Sequence, residues 1–170
     1  MELDAQLRQA IKEGKPTYIR IGKKGEPNLF NEEASLGIGK ASLLEKGEKF
    51  LILSIGPLTG EALEARELLR SENIEVAVAS MGSVKPLNHE FLAQCMSENY
   101  THWISLEEHH KTGGLGSALL EWLSERGSKG IKLKRMGIED NFIHELGTQS
   151  YVRENQGINA KGIAAFVRSL

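Results

Sequence analysis

From Phe50 onward, short apolar runs alternate with segments whose apolar residues recur at helical spacing. Residues 50–55 are almost entirely apolar and lie between two glycines, a pattern typical of a strand buried on both faces of a parallel sheet. Further strands are predicted at 74–79, 102–106 and 131–136, the last with one exposed face because apolar and charged residues alternate in it. This order favours right-handed strand–helix–strand units. We therefore predict an α/β fold, a three-layer α/β/α sandwich around a mostly parallel sheet.

The helices between these strands have recognisable starts. Thr59 is predicted to cap the first helix and Asn88 the second, because such side chains accept hydrogen bonds from the free amides of a first helical turn. A short helix is predicted at 148–153, and Asn159 is predicted to cap the last helix.

The residues before Phe50 are patterned differently. The segment Glu2–Glu13 has helical spacing. Its large apolar residues fall on one face: Leu3, Leu7 and Ile11. Residues 16–21 are predicted to form a short strand, and a polar, glycine-bearing loop follows. Residues 29–47 are poorly patterned, which is typical of an extended connection or a short edge strand, and 29–36 is the one candidate linker.

Composition excludes several classes of function. The chain has 170 residues, of which 40% are hydrophobic and 26% charged, enough for one domain with a sizeable core. The formal net charge is −2 and the basic residues are scattered, so no nucleic-acid partner is expected. No apolar run approaches the roughly 18 residues of a membrane span and no signal-peptide pattern is present, so we expect a cytoplasmic protein without membrane contact. The single cysteine, Cys95, cannot form an internal disulfide and is predicted to be a buried structural thiol.

Two acids and two histidines directly follow the third predicted strand: Glu107, Glu108, His109 and His110. Open α/β sheets usually bind ligands at the carboxyl ends of their strands. A metal site that includes His144, or acid–base chemistry by a histidine and a glutamate, is therefore one hypothesis. Neighbouring residues of an extended segment point to opposite faces, so only alternate members of the cluster converge. The favoured interpretation is structural: one glutamate is a buried hydrogen-bond partner, and the histidines line an interface or solvent.

A glycine-rich turn comes next and includes Gly113, Gly114, Gly116 and Ser117. It lacks the spacing of a dinucleotide-binding loop and the lysine of a P-loop. The third helix is predicted to begin at Gly116 or Ser117, and free amides at such a start are able to hold an anion. The favoured interpretation is that the glycines let the backbone turn tightly and let the helix lie close to the sheet.

A second candidate anion site lies near the start of the chain. Three basic residues lie at the end of the predicted strand 16–21 and in the loop after it: Arg20, Lys23 and Lys24. A cation in this position is able to bind a phosphate or a carboxylate. The other interpretation is an ordinary solvated loop.

Six short motifs occur in an order that resembles the C-terminal domain of the transketolase family. They lie at 47–56, 61–69, 84–88, 106–117, 135–140 and 157–162. Each motif alone is unspecific, but six in order are specific, and the resemblance runs from about residue 37 to the C-terminus. The family includes transketolases, 1-deoxyxylulose-5-phosphate synthases and the β subunits of 2-oxoacid dehydrogenases, all of which use thiamine diphosphate.

This resemblance implies a five-stranded mixed sheet with one antiparallel strand. It also implies three parts: residues 1–28 resemble the tail end of the preceding pyrimidine-binding domain, 29–36 form a linker, and 37–170 form the transketolase C-terminal domain. Residues 16–24 resemble the final strand of the pyrimidine-binding domain. In the family, a basic residue shortly after the proline of this strand contacts the substrate phosphate. By spacing, Lys23 occupies this place, with Arg20 as the alternative.

The motifs that hold the cofactor in this family do not occur in the 170 residues. Family members bind thiamine diphosphate and Mg²⁺ through an N-terminal domain, and a glutamate of the pyrimidine-binding domain activates the cofactor. The resemblance therefore implies a C-terminal fragment, a truncated subunit or one part of a split enzyme. Such a chain has no catalytic residue of its own and alone binds neither cofactor nor metal. Its partner would be the N-terminal thiamine-diphosphate-binding domain or subunit, in a homo- or hetero-oligomer.

In the intact enzyme, the implied reaction moves a two-carbon ketol unit between sugar phosphates, or a related acyl unit. The strand-end residues would then belong to an interface or to the rim of the active site: Glu107, Glu108, His109, His110, Gly113, Gly114, Gly116 and Ser117. The alternative function is a binding module that holds a small anion or docks a partner, as in the β subunits of 2-oxoacid dehydrogenases. A third, disfavoured interpretation is an independent hydrolase that uses His109 or His110.

Overall fold

Five strands form a mixed sheet in the part of the chain that this computed structural model describes, residues 1–22, 25, 27–31, 34–144 and 146–170. The strands are β1 (Ala41–Glu45), β2 (Phe50–Ser54), β3 (Val76–Met81), β4 (His102–His110) and β5 (Lys132–Ile138). Their order across the sheet is β1-β3-β2-β4-β5, and β1 runs antiparallel to β3 while the other pairs are parallel. The predicted five-stranded sheet with one antiparallel strand is confirmed.

Helices cover both faces of this sheet. They are α1 (Glu2–Glu13), α2 (Leu58–Arg70), α3 (His89–Ser97), α4 (Leu115–Arg126), α5 (Gln149–Asn155) and α6 (Ala160–Arg168). Helices α2 and α6 share one hydrophobic cluster with the sheet, and α3 and α4 share the cluster on the opposite face. The predicted three-layer α/β/α sandwich is confirmed. None of the helices described is both long and apolar enough to cross a membrane.

Strand β2 shows why the sheet is buried on both sides. Phe50 and Ile52 join the cluster beneath α2 and α6, whereas Leu51 and Leu53 join the cluster beneath α3 and α4. Successive side chains of a strand point to opposite faces, so a run that is apolar throughout has to be covered twice. The predicted buried thiol, Cys95, lies in the second cluster, and burial raises its pKa to about 12.

Two of the predicted helix caps are confirmed and one is wrong. The side chain of Asn88 accepts a hydrogen bond from the amide of Phe91, and that of Asn159 accepts one from Gly162. Thr59 does not cap α2, which begins at Leu58. Its side chain points into the protein, where the Ser54 hydroxyl donates a hydrogen bond to its oxygen.

The start of α4 and the two edge strands of the sheet lie close to their predicted positions. Helix α4 begins at Leu115, one residue before the earlier of its two predicted starts. The poorly patterned stretch 29–47 contains β1, a short strand at one edge of the sheet. Strand β5 forms the other edge, and its first residues are exposed or half-buried as its alternating pattern predicts.

The predicted strand at 16–21 is wrong. Residues 16–22 form no strand, and the side chains of Tyr18 and Ile21 are mostly exposed. A strand requires a neighbouring strand to pair with, and this segment has none in the part of the chain that the structure describes.

Strands β2 to β5 are parallel, so they all end at one edge of the sheet, which we call the carboxyl edge. The segments that follow β3, β4 and β5 gather there. Residues 107–110, which we call the strand-end cluster, lie at this edge. The glycine turn and the loop that follows β5 lie there too.

Candidate functional site

Strand β4 carries the strand-end cluster as a direct continuation of its buried part. The strand runs to His110, and burial falls along it: Glu107 is only 2% exposed and Glu108 is half-buried, whereas His109 and His110 are exposed. The two acids therefore meet the protein interior, and the two histidines meet solvent.

The carboxylate of Glu107 is bonded to the start of α4. Its Oε2 accepts a hydrogen bond from the amide of Leu115 at 2.7 Å, and its Oε1 accepts one from the amide of Gly116 at 2.8 Å. The first amides of a helix have no partner within the helix, and the positive end of the helix dipole favours a negative group there. Glu107 is thus the buried hydrogen-bond partner that the sequence predicts. Its carboxylate binds the amides of Leu115 and Gly116, which belong to the predicted site for an external anion.

The glycine turn is explained by this contact. A Cβ atom on Gly114 would lie 1.8 Å from Oε2 of Glu107, and one on Gly116 would lie 2.6 Å from the Ser105 hydroxyl oxygen. Side chains at these two positions would displace the carboxylate or the helix. The glycines therefore allow α4 to lie close to the end of the sheet, as the sequence predicts.

Ser117 closes the same turn. Its hydroxyl accepts a hydrogen bond from the amide of Gly113 at 2.9 Å and donates one to the carbonyl of Lys111 at 3.3 Å. Arg135 of β5 donates to the same carbonyl at 2.8 Å. The hydroxyl of Ser117 is therefore engaged in holding the turn.

Glu108 is the centre of a second network. Its carboxylate accepts two hydrogen bonds from the guanidinium of Arg153, at 2.9 and 3.3 Å, and two from the amide of Gln149, at 3.0 and 2.9 Å. Arg153 also donates to Glu61, whose other oxygen accepts the amide hydrogen bond of Ala160 at the start of α6. Glu108 therefore connects the end of β4 with α5, and through Arg153 with α2 and α6.

The electrostatics of Arg153 favour this arrangement. Burial is the largest influence on its pKa and lowers it, but the hydrogen bonds and charges of Glu108 and Glu61 together outweigh burial and raise the pKa. A charge that is nearly buried requires such partners, because an unpaired one is strongly disfavoured in the interior. The network therefore fixes the charged form of Arg153.

The histidines of the cluster have weaker contacts. The Nδ1 atom of His109 lies 2.8 Å from the carbonyl oxygen of His110 and 4.0 Å from Oε2 of Glu107. The Nδ1 atom of His110 lies 3.7 Å from the exposed carboxylate of Asp140. His144 lies in the loop after β5, and no group of three metal-ligating side chains close enough to hold an ion occurs among the described residues.

Of the two candidate phosphate contacts, Lys23 and Arg20, the structure describes only Arg20. Lys23, with its neighbour Lys24, lies outside the described residues. Arg20 is described: its Nη1 donates to the carbonyl of Glu108 at 2.9 Å, and its Nη2 lies 3.9 Å from the carboxylate of the same residue. Its guanidinium, which is about half exposed, therefore already has an acidic neighbour.

Sequence reasoning missed the other members of the Glu108 network. Glu61, Gln149 and Arg153 are separated from the residues that they bind by 41 to 99 positions. Each stands in an ordinary helical segment of charged and apolar residues, and no local pattern marks it. Pairing of acidic and basic residues across the carboxyl edge becomes visible only once the strand order is known.

The contact between Gly114 and Glu107 leads to a direct prediction. Gly114→Ala should lower the free energy of unfolding by about 2–4 kcal/mol, because the new methyl group displaces a buried carboxylate from its two amides. Gly60→Ala is the matched control: Gly60 lies in α2 with open space around it, so this variant should be neutral or more stable by about 0.5–1 kcal/mol. Urea unfolding of both variants measures the difference. Equal stability of the two would show that the carboxylate does not depend on the space at Gly114.

Comparisons with known proteins identify the relatives of this chain. The family described as "Transketolase, C-terminal domain" matches residues 39–163. The 1-deoxy-D-xylulose-5-phosphate synthase of Syntrophus aciditrophicus is 38% identical over an alignment of 171 positions, which covers 99% of this chain and 26% of the synthase. An apulose-4-phosphate transketolase subunit of Actinobacillus succinogenes is 33% identical over 155 residues, which cover 91% of this chain and 49% of that protein.

A solved structure is similar over nearly the whole chain. It is described as "Split gene transketolase, inactive beta4 tetramer", and it superposes with a TM-score of 0.85 at 32% identity over 96% of this chain and 52% of its own. The chain thus spans about a quarter of the synthase and about half of the apulose-4-phosphate transketolase subunit and of the solved chain. Fold, motif order and sequence identity together establish that the chain belongs to the transketolase C-terminal domain family.

Proposed function

We propose that this chain is the C-terminal part of a thiamine-diphosphate-dependent enzyme of the transketolase type, in which it packs against other domains and supplies no catalytic residue. The family match over residues 39–163 supports the enzyme type, and the observation that carries the non-catalytic role is the engagement of the two strand-end acids. Glu107 is bonded to the start of α4, and Glu108 is bonded to Arg153 and Gln149. Acid–base catalysis requires a group within reach of substrate, and both carboxylates instead face the chain's own donors.

The reaction of the intact enzyme would be transfer of a two-carbon ketol unit between sugar phosphates, or of a related acyl unit. Its partner would be an N-terminal thiamine-diphosphate-binding domain or subunit, in a homo- or hetero-oligomer. In this proposal, residues 1–28 are the tail end of the pyrimidine-binding domain, 29–36 are the linker and 37–170 are the C-terminal domain. The names of two relatives, an apulose-4-phosphate transketolase subunit and a split-gene transketolase tetramer, support an assembly of this kind.

We infer that the described residues do not hold thiamine diphosphate and its Mg²⁺. A diphosphate–metal pair requires carboxylate or carbonyl ligands for the ion and amides for the phosphates. No group of three His, Cys, Asp or Glu side chains that could hold the ion occurs in the described ranges. The amides of Leu115 and Gly116, at the start of α4, are bonded to Glu107. The proposal therefore assigns the cofactor and its ion to the partner.

The first prediction of this proposal concerns the cofactor. The pure chain should bind no thiamine diphosphate at millimolar concentration in the presence of Mg²⁺, measured by calorimetry, and should form no sugar-phosphate product. Co-expression with the part of the Syntrophus aciditrophicus synthase that precedes its segment aligned with this chain should give a complex that binds the cofactor. Turnover by the pure chain without thiamine diphosphate would contradict the proposal and support the hydrolase interpretation.

The second prediction separates packing from anion binding, the alternative function. Titration of the pure chain with 1-deoxy-D-xylulose 5-phosphate or apulose 4-phosphate should show no binding tighter than millimolar, because the guanidinium of Arg20 already faces Glu108. Millimolar or tighter binding that is lost in Arg20→Ala or Lys23→Ala would favour the alternative. Arg70→Ala is the matched control, since the side chain of Arg70 is exposed to nearly the same extent as that of Arg20.

A further inference from the structure

Helix α1 meets the rest of the protein through its polar face. The side-chain amide of Gln6 donates to the carbonyl of Gly82 at 2.5 Å, and the side-chain oxygen of Gln9 accepts the amide hydrogen bond of Ile38 at 2.8 Å. The hydroxyl of Ser80 donates to the carboxylate of Glu2 at 3.2 Å. These side chains lie on one side of α1, so specific hydrogen bonds define how the helix sits on the domain.

The apolar face of α1 points away from the domain. We call its three large residues the α1 stripe: Leu3, Leu7 and Ile11 are 47%, 48% and 72% exposed. No residue of this helix is buried. An amphipathic helix at the surface of a globular protein normally turns its apolar face to the core, and here the orientation is reversed. The stripe is therefore left available for a second apolar surface.

Other apolar side chains are also exposed at the carboxyl edge. Helix α1 contacts Ser80 and Gly82, where β3 ends, so it lies at the carboxyl edge. The loop after β5 begins at the same edge and exposes Phe142 almost completely and Leu146 completely. Several large apolar side chains exposed along one face of a helix are typical of an interface, whereas single exposed leucines such as Leu120 are not.

The comparisons place the counterpart of α1 outside the family domain. The alignment with the Syntrophus synthase includes 99% of this chain and thus α1, but the family domain begins only at residue 39. In the synthase, the counterpart of α1 therefore lies in the portion before the C-terminal domain. The polypeptide that precedes this counterpart leads directly into it.

We propose that the α1 stripe is the surface by which this chain docks onto the portion of a transketolase-type partner that precedes the C-terminal domain. This inference rests on the proposed function and names the contact through which it operates. The polar face of α1 keeps the helix on the C-terminal domain while the stripe inserts into an apolar groove of the partner, as amphipathic helices do in complexes. A second copy of this chain is the competing occupant, and the test below distinguishes it from the partner.

The test uses the full chain co-expressed with the preceding part of the Syntrophus synthase, which carries an affinity tag. Wild-type chain should co-purify with the tagged polypeptide in about equal amounts. Leu7→Lys and Ile11→Lys should reduce the recovered chain at least tenfold. Leu120→Lys is the matched control, since Leu120 is a helical leucine of similar exposure, 42% against 48%, and should be recovered like wild type. Circular dichroism and the melting temperature of the isolated Leu7→Lys chain should equal those of wild type, because the stripe is solvent-exposed.

Each other outcome overturns a defined claim. Recovery of Leu7→Lys and Ile11→Lys at the wild-type level would overturn the role of the stripe and leave the proposed function standing. Failure to recover wild-type chain would overturn the proposed partner and the stripe with it. Equal loss in Leu120→Lys would show that any added lysine disturbs the complex, which contradicts a specific docking surface. A dimer of the chain in light scattering that is lost in Leu7→Lys, without binding to the synthase part, would assign the stripe to a second copy.

Discussion

The carboxylate of Glu107 joins the end of β4 to the start of α4, and the architecture of the carboxyl edge follows from it. A carboxylate removed from water needs strong donors, and the two amides of the first helical turn provide them. Three glycines without room for a side chain lie close to this contact: Gly114, Gly116 and Gly137. A Cβ atom at Gly137 would lie 2.8 Å from the carbonyl oxygen of His109, much as side chains at Gly114 and Gly116 would collide with their neighbours. The helix, the strand and the glycine turn are therefore parts of one arrangement.

Glu108, the next residue of β4, is also held by donors from other elements of the chain. Glu108 pairs with Arg153, and Arg153 reaches Glu61, so β4, α5 and α2 are fixed relative to one another by charged hydrogen bonds. Buried ion pairs contribute little net stability compared with apolar packing, but an unmatched charge is strongly disfavoured, so such a network defines which elements meet. Residue types that catalyse reactions at the strand ends of other α/β proteins here hold the chain together. This suits a domain that presents a fixed surface to a partner.

The sequence predicts most of the sheet because its signals are local. The apolar run of β2, the alternation of β5 and the caps at Asn88 and Asn159 depend on neighbouring residues, and the structure confirms them. The antiparallel strand β1 lies in a poorly patterned stretch and is expected only through the family resemblance.

The remaining differences concern side-chain contacts that the local residue pattern does not determine. Thr59 has the residue type of a cap, but the direction of its side chain depends on Ser54 in the neighbouring strand. The pair Glu108–Arg153 spans 45 positions, and the contact of Glu61 with Ala160 spans 99. Periodicity predicts the helix α1 and its apolar face, but not that this face is turned outward.

The central claim is that the strand-end acids hold the domain together while catalysis belongs to the partner. The most direct measurement is the turnover number of the complex with the synthase part, per mole of assembled complex, for Glu108→Gln. The account predicts a value within about threefold of wild type, with any loss confined to stability. A fall of about 10²–10⁴-fold in a fully assembled complex is the size expected for removal of a general acid or base, and it would contradict the account.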